Sequence, residues 1–198
     1  MIYTKQDLKY YLACDSRLYP KQSGSLLKRW INYLVTNTIN TQQEIYKYIV
    51  MLRNAEYHLN NSIIINKSKT TRNLWHLLMM IYYYHQMKKI SYKTGIQIPP
   101  CTCGPGLQIW HYGTIIINEK TQIGKNLTIY PGVEIGHKIP GGECPKIGNN
   151  CFIGAGAKIF GKITIGNNVT IAPNAVVVTD IPDNTIVGGI PAKILKFK

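Results

Sequence analysis

The chain has 198 residues, of which 45% are hydrophobic and 16% charged. That balance fits one or two folded domains and excludes general disorder. Lysine and arginine number 23 against 9 acidic residues, a net charge of +14, so nucleic acid, acidic lipid and a phosphate-rich cofactor are all candidate partners.

The opening residues lack the charged-then-apolar pattern of a signal peptide. The five cysteines (Cys14, Cys101, Cys103, Cys144 and Cys151) are odd in number and none are spaced C-x-x-C, so a reduced, cytoplasmic setting is expected. Residues 1–93 read as helical, with one glycine, Gly24, and one proline, Pro20. Helices are expected over 5–13, 25–36, 41–59 and 71–88. In the third, Ile45, Ile49, Leu52, Glu56 and Leu59 share one face, and Thr41 with Glu44 makes a candidate capping box. Tyr82, Tyr83 and Tyr84 suit either a partner surface or an ordinary amphipathic core. The longest apolar-rich run, 74–84, contains His76 and falls well short of the ~20 residues of a membrane span. It is expected to be a buried or an interfacial helix.

From Thr94 onward the composition changes, and a boundary between two domains, 1–93 and 94–198, is expected there. Sixteen of the 17 glycines lie in the second part. Every sixth residue from Ile117 to Val177 is Ile or Val, except Gly141. A second small or apolar series, Leu127, Val133, Cys151, Ala157, Ile163, Val169 and Ala175, lies four residues on. A six-residue period is that of a parallel β-helix in which three hexapeptides close a triangular coil. Residues 95–186 predict roughly five such coils of ~18 residues. The fold class is therefore α+β, a helical N-terminal part followed by a left-handed parallel β-helix. Residues 136–145 break the repeat without shifting its phase, so they are expected to form a loop replacing one corner or face. Asn149-Asn150 and Asn167-Asn168 suit left-handed turn conformations.

Four segments carry a family resemblance: Pro105-Gly-Leu-Gln-Ile-Trp-His-Tyr-Gly113, Ile115-Ile-Ile-Asn-Glu119, Ile153-Gly-Ala-Gly-Ala-Lys-Ile-Phe-Gly161 and Val187-Gly-Gly-Ile-Pro-Ala-Lys193. Together they resemble the serine O-acetyltransferases, most closely those encoded with surface-polysaccharide genes. The resemblance covers about 95–194 well and the helical part loosely. It implies acetyl-CoA as co-substrate, no metal, and a homotrimer with active sites between neighbouring β-helices. A dimer of trimers is the larger form it allows. It makes His111 the general base: a neutral imidazole can take the proton of an attacking hydroxyl. Backbone N–H groups at coil corners are candidates for holding the tetrahedral oxyanion.

Three positions depart from the family pattern. Ile96 and Trp110 stand where the family carries an Asp, and Cys144 beside Glu143 stands where it has a His beside an Arg. These departures weigh against serine more than against acetyl transfer. A sugar of surface-polysaccharide synthesis is the other candidate acceptor.

Glu119, His137 and Cys144 are candidate acceptor-site residues: Glu119 to supply charge near His111, His137 as an acceptor contact or a solvated loop histidine, and Cys144 as a reactive thiol, a substrate contact or a passive loop residue. Gly136, Ala155 and Ala172 are candidate small positions beside the cofactor, or simply corner residues. Lys193 leads Lys158, Lys162, Lys196 and Lys198 as a candidate phosphate contact. A zinc enzyme on this fold would need three histidines, and the second half holds only His111 and His137. A non-enzymatic anion- or nucleic-acid-binding protein is the remaining alternative, although the basic residues are spread and no nucleic-acid motif is present.

Overall fold

The computed structural model describes residues 1–19, 42–66 and 70–198. The helix expected over 25–36 and the expected cap at Thr41 lie outside them. Helix α1 spans Lys5–Asp15, α2 Gln42–Asn60, α3 Ile63–Asn66 and α4 Thr71–Thr94. Thr4 opens α1 with a reciprocal cap: its hydroxyl accepts from the Asp7 N–H at 3.0 Å, and the Asp7 carboxylate accepts from the Thr4 N–H at 2.8 Å. Helix α4 runs past the expected end at residue 88, because nothing between Lys88 and Thr94 breaks a helix. Gly95, at φ +76°, ends it.

Three sheets then close a triangular prism. The first face stacks β1 (Ile96–Gln97), β3 (Ile115–Ile117), β6 (Glu134–Gly136), β9 (Lys158–Phe160) and β12 (Val176–Val177). The second stacks β4 (Gln122–Ile123), β7 (Lys146–Ile147) and β10 (Thr164–Ile165). The third stacks β2 (Gln108–Ile109), β5 (Thr128–Ile129), β8 (Phe152–Ile153), β11 (Thr170–Ile171), β13 (Thr185–Gly189) and β14 (Ala192–Phe197). All pairings are parallel except β13 with β14. The sixfold isoleucines pair in register, Ile117 with Ile135, Ile135 with Ile159, Ile129 with Ile153 and Ile123 with Ile147. All of them are buried, which is what the period demands: one residue per strand points into the prism.

The corner from the second face to the third is held by an asparagine ladder. Asn126, Asn150, Asn168 and Asn184 take positive φ, which Asn tolerates better than most residues. Their neighbours do a different job. The Asn149 side chain accepts from the Lys125 N–H, Asn167 from the Asn149 N–H and Asp183 from the Asn167 N–H, all at 2.7–2.8 Å. Of each Asn pair, then, only the second residue is left-handed, and the first caps the coil before it. Residues 137–145 widen a corner between β6 and β7 and remove no face, since all three faces of that coil keep their strands.

The helices sit on the first coil and share its core. Tyr19, Ile45, Tyr48, Ile49 and Leu52 pack in one cluster with Ile96, Ile98, Leu107 and Ile109. Polar contacts fasten the junction. Arg53 is fully buried, donates to Asp15 at 2.7 Å and Glu56 at 3.1 Å, and donates to the carbonyls of Cys103 and Gly104 at 2.8 and 2.7 Å. Asp15 accepts from the Gly106 and Leu107 N–H groups at 2.7 and 2.8 Å. Burial raises the Glu56 carboxyl, while Arg53 and the Cys101 N–H oppose that rise. Among the described residues, no helix is long and apolar enough to cross a membrane.

Candidate active site

The corner from the third face to the first carries His111. Its turn, 110–114, is shaped by close approach. Gly113, at φ +136°, passes so near Pro131 that an added Cβ would lie 2.7 Å from the proline Cβ. Gly113 also donates its N–H to Thr94 at 2.9 Å, which ties the turn to the end of α4. His111 is exposed, and among the described residues neither of its ring nitrogens has a hydrogen-bond partner. Its ring lies 6.0 Å from that of Tyr130. Tyr130 stacks on Trp110 at 6.2 Å and meets Phe152 at 5.4 Å.

The same edge continues up the prism through hydrogen-bonded neighbours. Trp110 donates its N–H to Ile129, Tyr130 to Ile153, Gly154 to Ile171 and Ala172 to Val187. The residue after the buried aliphatic of each third-face strand is therefore Trp110, Tyr130, Gly154 and Ala172 in turn, with Gly188 following Val187. The edge is aromatic at the His111 end and nearly bare beyond it. Ala155 is exposed and Ala172 half-buried, so backbone lies open there. Six strands at ~4.8 Å spacing give an edge of roughly 24 Å. At its far end Lys193 on β14 pairs with Gly188, is exposed and has no carboxylate partner among the described residues. Three of the other candidate phosphate contacts are engaged: Lys158 with Glu134 at 2.7 Å, Lys162 with Glu143 at 2.6 Å, and Lys198 with the Asn168 carbonyl at 2.7 Å. Of those candidates, Lys196 alone shares with Lys193 an ammonium with no hydrogen-bond partner among the described residues.

The remaining expected site residues lie elsewhere in the chain. Gly136, His137, Glu119 and Cys144 sit at the corner between the first and second faces, across the full width of β3 and β6 from His111. Gly136 thus lines a different edge from Ala155 and Ala172, and Glu119 does not neighbour His111 in the same chain. Cys144 is buried beside Pro145, presenting little to solvent. His137 has a defined tautomer. The Asn118 carbonyl oxygen accepts from the Lys120 N–H at 3.0 Å, which turns the Asn118 amide nitrogen toward His137 Nδ1 at 3.2 Å. Nδ1 is the acceptor, so the ring proton sits on Nε2. A cleft of about 420 Å³ runs beside this corner, lined by Pro99, Ile116, Glu119, Gly136 and His137. The sequence reading missed the aromatic run Trp110–Tyr130–Phe152; its signal was two large residues in a register that elsewhere holds Gly or Ala.

Residues 144–179 match the model of the bacterial transferase hexapeptide (six repeats). A serine acetyltransferase of Helicobacter pylori (strain J99 / ATCC 700824) is 43% identical over 105 residues, 52% of this chain and 61% of the relative. Over that stretch the chain is similar to serine acetyltransferases. A serine acetyltransferase of Staphylococcus aureus (strain Mu50 / ATCC 700699) is 38% identical over 135 residues, 62% of this chain and 63% of the relative. The match thus spans less than two thirds of these curated relatives. The crystal structure of serine acetyltransferase in complex with coenzyme A from Brucella abortus strain S19 aligns with 98% of this chain and 68% of its own, at TM-score 0.66 and 23% identity. At that identity the likeness is one of fold, and it covers the helical part of this chain as well as the prism.

Proposed function

We propose that this protein is an acetyl-CoA-dependent O-acetyltransferase, with the hydroxyl of serine or of a surface-polysaccharide sugar as acceptor. The observation that carries the reading is one edge with an exposed imidazole, unpartnered among the described residues, at one end and a bare backbone track leading away from it. Resemblance to serine acetyltransferases supplies the reaction, and a coenzyme A complex of one with this fold supplies the donor. The bare track at Ala155 and Ala172 fits a thin pantetheine arm, and Lys193 is placed for a phosphate. The two parts, 1–93 and 94–198, then divide into a helical cap and a catalytic prism.

A neutral His111 takes the acceptor's hydroxyl proton as the oxygen attacks the thioester carbonyl carbon. The tetrahedral intermediate collapses by breaking the C–S bond, and the imidazolium returns its proton to the departing thiolate. The products are the acetyl ester and the free thiol of CoA. No covalent enzyme intermediate is required. Since His111 and the Gly136–His137–Glu119 corner lie apart in one chain, the proposed homotrimer sets one chain's His111 edge against its neighbour's opposite corner. His137 then offers an Nε2 proton, and Glu119 a negative charge, across the seam. Donor and free cysteines both fit a cytoplasmic setting.

The test is thiol release from acetyl-CoA with a panel of amino acids and sugars, run beside His111→Ala. A loss of about 10²–10⁴-fold is expected for the variant. Near-normal turnover would remove His111 from the role.

A further inference from the structure

We infer that the exposed stripe of α4 docks this protein on an anionic lipid bilayer. The helix has two unlike sides. His76, Met87 and Thr94 are buried, and Tyr83 and Ile90 pack against the core. Turned the other way, Leu74, Trp75, Leu78, Ile81 and Tyr82 are exposed, Leu78 by 62% and Trp75 by 58%. At helical spacing these five share one face over the first three turns. The same face continues through Lys88, Lys89, Tyr92 and Lys93, all exposed.

Charge selects the occupant. The 24 residues of α4 contain no Asp or Glu. The cations on this face are Lys88, Lys89 and Lys93, at one end of the apolar patch; Arg72 and Lys5 lie on the other side of the helix, near enough to His76 that both disfavour a charge on it. A parallel second copy laid on the patch would bring lysines against lysines, and an antiparallel one would set them against the uncharged start of the stripe, so neither supplies the anions that Lys88, Lys89 and Lys93 lack on this face. A bilayer of acidic lipid answers both parts of the pattern. Apolar and aromatic side chains sink to the headgroup level while the lysines meet lipid phosphates. The helix would lie in the surface plane, since it is not apolar all round.

The experiment is flotation of the full chain with vesicles of phosphatidylglycerol and phosphatidylcholine, against vesicles of phosphatidylcholine alone. Binding to the mixed vesicles is expected, weakening with salt. Leu78→Ser with Ile81→Ser should lower the partition coefficient by about tenfold or more. Lys88→Gln with Lys89→Gln should abolish the preference for acidic lipid. All four positions are exposed, and circular dichroism checks that each variant folds. Three results would overturn the inference: no binding to acidic vesicles, binding unchanged by Leu78→Ser with Ile81→Ser (general attraction of a +14 protein), or a smaller assembly for that variant without lipid binding, which would give the stripe to a second copy.

Discussion

Nδ1 of His58 on α2 lies 2.9 Å from Nδ1 of His76 on α4. One ring must donate and the other accept, so a single proton occupies the gap and a doubly charged pair is excluded. Tyr83 stacks on His58 at 5.4 Å, and Tyr57 meets both rings edge-on. Burial first, then the neighbouring His76, pushes His58 down to about 4. Burial first, then Arg72 and Lys5, lowers His76.

Acid should therefore loosen the contact between α2 and α4. The folded state holds both imidazoles neutral, while the unfolded chain protonates them near their ordinary value of about 6.5. Below that pH the unfolded state binds more protons, so stability falls as pH drops from about 6.5 toward about 4 and is indifferent to these groups above it. Thermal melts across that window should show the decline, and His58→Gln should flatten it.

Arg53→Met should cost roughly 3–5 kcal/mol, because it strands Asp15 and Glu56 as buried charges without their cation. Denaturant midpoints of the variant measure the loss. Arg53→Lys should recover only part of it, since one ammonium cannot reach two carboxylates and two carbonyls in the guanidinium's planar arrangement.

Ala155→Tyr places a ring on the bare stretch of the edge without touching the core. The KM for acetyl-CoA should rise about tenfold or more, with kcat at saturating donor nearly kept. Initial-rate kinetics with either substrate varied separate the two effects.

Tyr130→Ala removes the ring against which Trp110, His111 and Phe152 lean. A fall of about fivefold in kcat is expected from a less confined imidazole, in line with the energy of one aromatic contact. The same kinetics should show the KM for acetyl-CoA little changed.

The prism was legible because its period is local: an isoleucine every sixth residue needs no knowledge of distant partners. The left-handed Asn150 and Asn168 were legible for the same reason. The knot around Arg53 was not. Asp15 lies 38 residues away and the Cys103 carbonyl 50, and only Glu56, a carboxylate on an apolar helix face, hinted at it. The pairing of His58 with His76 likewise depends on how two helices pack. Site residues were readable one by one, but the sequence carries no sign that β3 separates His111 from Glu119.

A stack of parallel coils with bare ends is a template for further strands, its own or another molecule's. At one end of this prism the helices lie across the first coil, and Arg53 and Asp15 consume the backbone groups of Cys103, Gly104, Gly106 and Leu107. At the other, β14 runs antiparallel to β13, so no parallel strand can extend the third face there in register. The two ends of the third face are thus finished differently, one by buried side chains that take up backbone groups and the other by a reversal of strand direction.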